Sequence, residues 1–128
     1  MRKMVVSVQD GLLAESISRM LEESGEFQIY RSVVGNQNSL IMDCITYGAE
    51  IVLMEVAHGL GLSLQIRLSE TKQIKDANPG CKVVLLCDEN TAPDLAWEVV
   101  LAKKDGLIDG FFYSSVTGSY LVASLASL

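Results

Sequence analysis

The chain has 128 residues, 49% of them hydrophobic and 20% charged, with only two prolines. That length suits one domain with one sizeable core, and such a composition excludes a disordered chain. Ten Lys and Arg against sixteen Asp and Glu give a formal charge of -6, so the chain lacks the clustered cations that direct nucleic-acid binding needs.

The first apolar run, residues 3–8 (KMVVSV), is broken only by Ser7 and ended by Gln9-Asp10. Apolar residues at consecutive positions predict a strand buried on both faces. The run is too short for a signal peptide or a membrane span, so a cytoplasmic protein without membrane contact is expected. Leu13, Ile17, Met20 and Leu21 then share one helical face, and Ser24-Gly25 ends that helix. Phe27, Ile29, Arg31 and Val33 alternate with Gln28, Tyr30 and Ser32, the pattern of a half-covered edge strand. Gly35-Asn36 breaks the chain, and Leu40, Ile41, Cys44 and Ile45 mark a second helix ending near Gly48.

Residues 51–56 (IVLMEV) predict a third strand, followed by the glycine-punctuated turn His58-Gly59-Leu60-Gly61. A polar helix over residues 63–77 is stopped by Asn78-Pro79-Gly80. Residues 82–87 (KVVLLC) predict the fourth strand. Residues 92–104 predict a helix with Pro93 in its first turn, residues 111–113 a short strand, and residues 119–128 a last helix. Strict alternation of strands and helices predicts an α/β fold: a doubly wound, five-stranded parallel sheet with helices on both faces. Right-handed crossovers and this length favour strand order 2-1-3-4-5, with the second strand at an edge.

Three cysteines, Cys44, Cys81 and Cys87, have no metal-ligand or disulfide-framework spacing and read as small core residues in a reducing compartment. His58 is the one histidine and reads as a loop residue. Phosphate-cradling glycine motifs are absent after the first strand, which continues Gln9-Asp10-Gly11-Leu12-Leu13, and no nucleophile elbow appears.

In order 2-1-3-4-5 the functional crevice lies beyond the carboxyl ends of strands 1 and 3, where the winding reverses. Asp10 follows strand 1, and Glu55 stands one residue before the end of strand 3. Two readings are open there. The carboxylates are oxygen ligands of a hard divalent cation, or Asp10 caps the first helix while Glu55 swings to solvent.

KMVVSVQD, EIVLMEVAHGLG, CKVVLLCDE and DGFFYSSVTGSYLVASL, in this order and spacing, resemble the CheY-like receiver domain of two-component response regulators. The resemblance covers residues 1–128 and implies a flavodoxin-like sandwich that is a regulatory module rather than an enzyme. It implies a histidine kinase and an output domain, DNA-binding in the commonest case and beyond residue 128, as partners. It also implies phosphoryl transfer to a strand 3 aspartate, with Mg²⁺ held by acids after strand 1. This sequence departs from the pattern at most of those positions. The phosphoacceptor position holds Glu55, so no catalytic residue is assigned, and the acidic pair is Gln9-Asp10, leaving Asp10 and Glu55 as metal candidates with Mg²⁺ weak or absent. The switch hydroxyl position holds Cys87 and the lysine position holds Ser114; the switch aromatic survives as Phe111.

Glutamate moves the carboxylate by about 1 Å, enough to cost on the order of 100-fold in a positioned reaction. Loss of the lysine removes charge that would neutralise a phosphoryl group. The expectation is a degenerate receiver without ordinary aspartyl phosphorylation. Its rivals are a small flavodoxin-like, metal-dependent phosphotransfer enzyme using Asp10 and Glu55, and a nucleotide or flavin binder. Residues 95–102 are apolar except for Glu98, more than one buried stripe needs. Either helices 4 and 5 are simply well buried, or the surplus is a protein interface across helix 4, strand 5 and helix 5, with Trp97, Leu101, Phe112 and Tyr120 as its candidates; the resemblance implies a homodimer through that face.

Overall fold

The computed structural model describes residues 1–35, 37–59 and 61–128. Asn36 and Leu60, both placed in turns by the sequence, lie outside the described residues. The elements alternate: β1 (Arg2–Ser7), α1 (Gly11–Glu23), β2 (Phe27–Arg31), α2 (Gln37–Tyr47) and β3 (Ile51–Val56), then α3 (Leu64–Ala77), β4 (Lys82–Cys87), α4 (Pro93–Lys104), β5 (Gly110–Tyr113) and α5 (Gly118–Ala126). The sheet is parallel throughout and runs β2-β1-β3-β4-β5, the order the sequence predicts.

Alternate residues of the central strands feed two separate cores, as a sheet covered on both faces requires. Met4, Val6, Ile51, Leu53, Val84 and Leu86 pack against Ala14, Ile17 and Leu21 of α1 and Leu121 and Leu125 of α5. Val5, Val52, Met54, Val83 and Leu85 pack against Leu40 and Cys44 of α2, Ile74 of α3, and Leu95, Ala96 and Val99 of α4. All three cysteines are buried and free. Among the described residues no helix is long and apolar enough to cross a membrane.

Element ends differ from the sequence reading by one or two residues, and the ladder explains each strand. β1 stops at Ser7, the last position paired with β3 (Ser7↔Met54), although Val8 beyond it is still buried. β2 stops at Arg31 because its pairing with β1 ends at Val6↔Arg31; Val33 lies outside the sheet and is 72% exposed. Helix α3 begins at Leu64 with Ser63 as its cap, the Ser63 hydroxyl accepting from the Ile66 N–H at 3.3 Å. Helix α5 ends at Ala126, two residues short of the predicted end, with Ser127 as its C-cap.

Candidate functional site

The carboxyl ends of β1, β3 and β4 bring Gln9, Asp10, Glu55, Asp88 and Glu89 to one edge of the sheet, with Ser114 and Ser115 following β5. The first two ends are tied directly. Glu55, half-buried in the register pair Glu55↔Leu86, turns its carboxylate to β1, and Oε1 accepts the Gln9 N–H at 2.8 Å. A strand-end N–H that the sheet leaves unpaired thereby acquires an ionised acceptor, which makes a strong hydrogen bond.

Each neighbouring acid is also engaged locally. Asp10 caps α1, its Oδ1 accepting the Leu13 N–H at 3.1 Å; the capping half of that reading is what the geometry shows, whereas Glu55 turns to the Gln9 N–H and not simply to solvent. Asp88 turns back on its own loop: Oδ1 accepts from the Asn90 and Thr91 N–H groups at 3.0 and 3.2 Å, and Oδ2 accepts from the Thr91 hydroxyl at 2.8 Å. The Thr91 hydroxyl first, then these N–H groups and the Ser114 hydroxyl, hold the Asp88 carboxyl below the usual range. Glu89 Oε2 accepts from the Ser115 hydroxyl at 3.1 Å, while its Oε1 is shut off from solvent with no partner among the described residues. No described lysine or arginine side chain forms an ion pair with any of these four carboxylates.

Mg²⁺ takes near-octahedral oxygen coordination. Here Gln9 supplies an amide where a second acid would be wanted, and Asp10 Oδ1 and Glu55 Oε1 are committed to backbone N–H groups. Among the described residues no three of His, Cys, Asp and Glu are grouped to hold a metal ion. Among the described residues, Asp10 Oδ2 and Glu55 Oε2 are the carboxylate oxygens of this pair left open to a cation.

The other predicted positions divide between core and surface. Cys87 is fully buried at the end of β4, its Sγ 3.8 Å from the Phe112 carbonyl, and burial, reinforced by Glu89 and Asp88, pushes its thiol up to about 11. A neutral, buried thiol offers nothing to an anion in the crevice. Ser114 is exposed and its N–H continues the sheet onto the Cys87 carbonyl at 2.9 Å. Phe111 is half-buried, its ring edge-on to Tyr113 at 5.6 Å. His58 reaches across to the start of α4, Nε2 lying 3.6 Å from Asp94 Oδ1, a contact its loop position did not reveal.

The most consequential side chain escaped the sequence reading. Arg67, on α3 and 2% exposed, inserts beneath the crevice. Its Nε donates to the Glu55 carbonyl at 2.8 Å, Nη2 to the Ser7 carbonyl and hydroxyl at 3.1 Å each, and Nη1 to Glu70 Oε1 at 3.1 Å. Burial disfavours both charges, lowering Arg67 and raising Glu70, and each opposes the shift of the other. The signal was present. Arg67, Glu70, Thr71 and Ile74 are the buried stripe of α3 at i, i+3, i+4 and i+7, with one apolar residue among the four.

With the geometry in place, comparison decides the fold. No family model and no curated protein matches the sequence. A CheY-like receiver domain protein from Methanospirillum hungatei JF-1 superposes with a TM-score of 0.75 at 11% identity, over 99% of this chain and 92% of that one. The CheY-like protein tadZ from Pseudomonas aeruginosa PAO1 gives 0.76 at 16% identity, over 99% and 98%. The chain has the receiver-domain fold. A LuxR-family DNA-binding response regulator from Staphylococcus aureus shares this receiver architecture at a TM-score of 0.75 and 12% identity, over 99% of this chain and 98% of that one. On the receiver scaffold, the crevice just described is the edge at which the winding reverses.

Proposed function

We propose that the chain is a receiver-like signalling module of a two-component response regulator that works without ordinary aspartyl phosphorylation. One observation carries the reading: Glu55 stands where the resemblance places the phosphoacceptor, and its carboxylate is bound to the Gln9 N–H. The surroundings agree. Four carboxylates line the edge, Ser114 replaces the lysine, and Cys87 is a buried thiol, so a phosphoryl group arriving here meets repulsion and no neutralising cation.

Output runs through the face of α4, β5 and α5. Trp97 is 62% and Tyr120 63% exposed, Leu101 is exposed, and Phe112 stacks edge-on to Tyr120 at 6.4 Å. These side chains surround a surface fit for a second copy of the chain or for an attached output domain; the S. aureus neighbour is itself described as a DNA-binding response regulator.

Incubation with acetyl phosphate, or with beryllofluoride and Mg²⁺, tests the reading by intact mass and by amide chemical shifts. Unchanged mass and no saturable shift at Gln9, Glu55 or Asp88 are expected. A phosphorylated Glu55, or saturable Mg²⁺-dependent shifts there, overturns it.

A further inference from the structure

Arg67 and Glu70 line a cavity of about 170 Å³ on the α2–α3 side of the sheet, together with Ser7. Leu40, Ile66 and Val33 supply its apolar wall. Two loops meet above it. Gly35 and Gly61 both have positive φ, +97° and +79°, and a Cβ on Gly61 would sit 3.6 Å from the Gly35 Cα. The left-handed backbone at both positions favours glycine, and the two loops pass within ordinary contact of each other.

The clamp on β1 and β3 accounts for Nε and Nη2 of Arg67 but not for the burial of Glu70. A carboxylate 3% exposed, paired to a guanidinium at 3.1 Å, is costly where an apolar pair would fill the space. The pair also keeps unused capacity. Among the described residues Nη1 donates to Glu70 Oε1 alone, leaving a second N–H, and the Glu70 carboxylate accepts from Arg67 alone.

We infer that this cavity is a binding site for a small uncharged heterocycle that presents a carbonyl and an N–H side by side, as a lactam or pyridone does. The volume compares with the roughly 150 Å³ cavity that takes up benzene, so a six-membered ring fits. A donor beside an acceptor, Arg67 Nη1–H and Glu70, matches an acceptor beside a donor on the ligand. Because guanidinium and carboxylate cancel, a charged ligand would bring an uncompensated charge into a buried site. The inference does not depend on whether Glu55 accepts phosphate.

The test is an amide-resolved NMR titration of the whole chain with 2-pyridone, run beside benzene and benzoate. Expected are saturable shifts with 2-pyridone alone, in the millimolar range for so small a ligand, concentrated at Ser7, Leu40 and Ile66. Ile66 is 38% exposed at the rim, so Ile66→Trp fills the mouth without opening the core and is expected to weaken binding at least about tenfold while the rest of the spectrum keeps its dispersion. Absence of saturable 2-pyridone shifts overturns the inference, leaving a water-filled cavity. Equal shifts with benzene overturn it as an apolar hole, and tighter benzoate binding overturns it as an anion site. Undiminished binding by Ile66→Trp overturns it by placing the ligand elsewhere.

Discussion

Arg67 shows how one polar side chain organises the crevice edge of a fold that otherwise rests on apolar packing. It satisfies the Ser7 and Glu55 carbonyls, both at the strand ends that form the crevice. Arg67→Met strands those carbonyls and leaves Glu70 buried without its partner, so a loss of about 3–5 kcal/mol is expected in urea unfolding. Arg67→Met combined with Glu70→Leu removes the orphaned charge, and most of that loss should return. A double variant as unstable as the single one would show that the backbone bonds, not the charge, dominate. A second polar tie lies at the opposite edge. Asp109 accepts from Lys75 Nζ at 2.6 Å and from the Val83 N–H at 2.8 Å. Partial burial opposes its charge, but those two donors win and hold the carboxyl below its ordinary value of 3.8. A carboxyl lowered in the folded state stabilises fully above that ordinary value and loses its contribution as pH falls through the lowered one. Unfolding midpoints measured from neutral pH downward should therefore fall less steeply in Asp109→Asn than in the parent chain.

At the scale of elements, sequence was informative where one physical rule acts alone. Consecutive apolar residues located β1, β3 and β4, and Asn78-Pro79-Gly80 located the end of α3. Asp10 was legible as a cap because capping is a local exchange between one side chain and the first turn of a helix. Asp10→Ala should cost about 1 kcal/mol, read as a melting temperature lowered by roughly 3–6 °C for a domain of this size. A much larger loss would mean that Asp10 carries more than its cap. Strand ends were less legible because a parallel strand lasts only as long as its neighbour. The alternation of β2 runs on to Val33, yet its ladder closes at Arg31, the last residue in register with β1. The sequence marks α3 only as a polar helix, without distinguishing its buried stripe, because charged residues are usually exposed. Only the three-dimensional meeting of Arg67 with Ser7, sixty positions apart, supplies the partners that permit its burial.

Across the whole molecule, the acidity evident in the composition resolves into separate local arrangements. Asp10, Glu55 and Asp88 are each bound to backbone N–H groups at one edge, which offsets part of the charge gathered in the crevice. The apolar excess of α4 resolves as well: Leu95, Ala96, Val99 and Ala102 face the sheet, and Trp97 and Leu101 remain outside. If that face joins two copies, light scattering should give a dimer mass for the parent chain and a monomer mass for Trp97→Glu. The same mass for both would remove the dimer. The three cysteines have a consequence of a different kind. Burial raises Cys44 to about 12 and Cys81 and Cys87 to about 11, so the folded molecule presents almost no thiolate to an alkylating reagent. Labelling then proceeds only through molecules that have opened, and its rate counts openings. Cys44 sits on a peripheral helix and Cys87 inside a strand paired on both sides, so the order in which they label records which part of the fold lets go first.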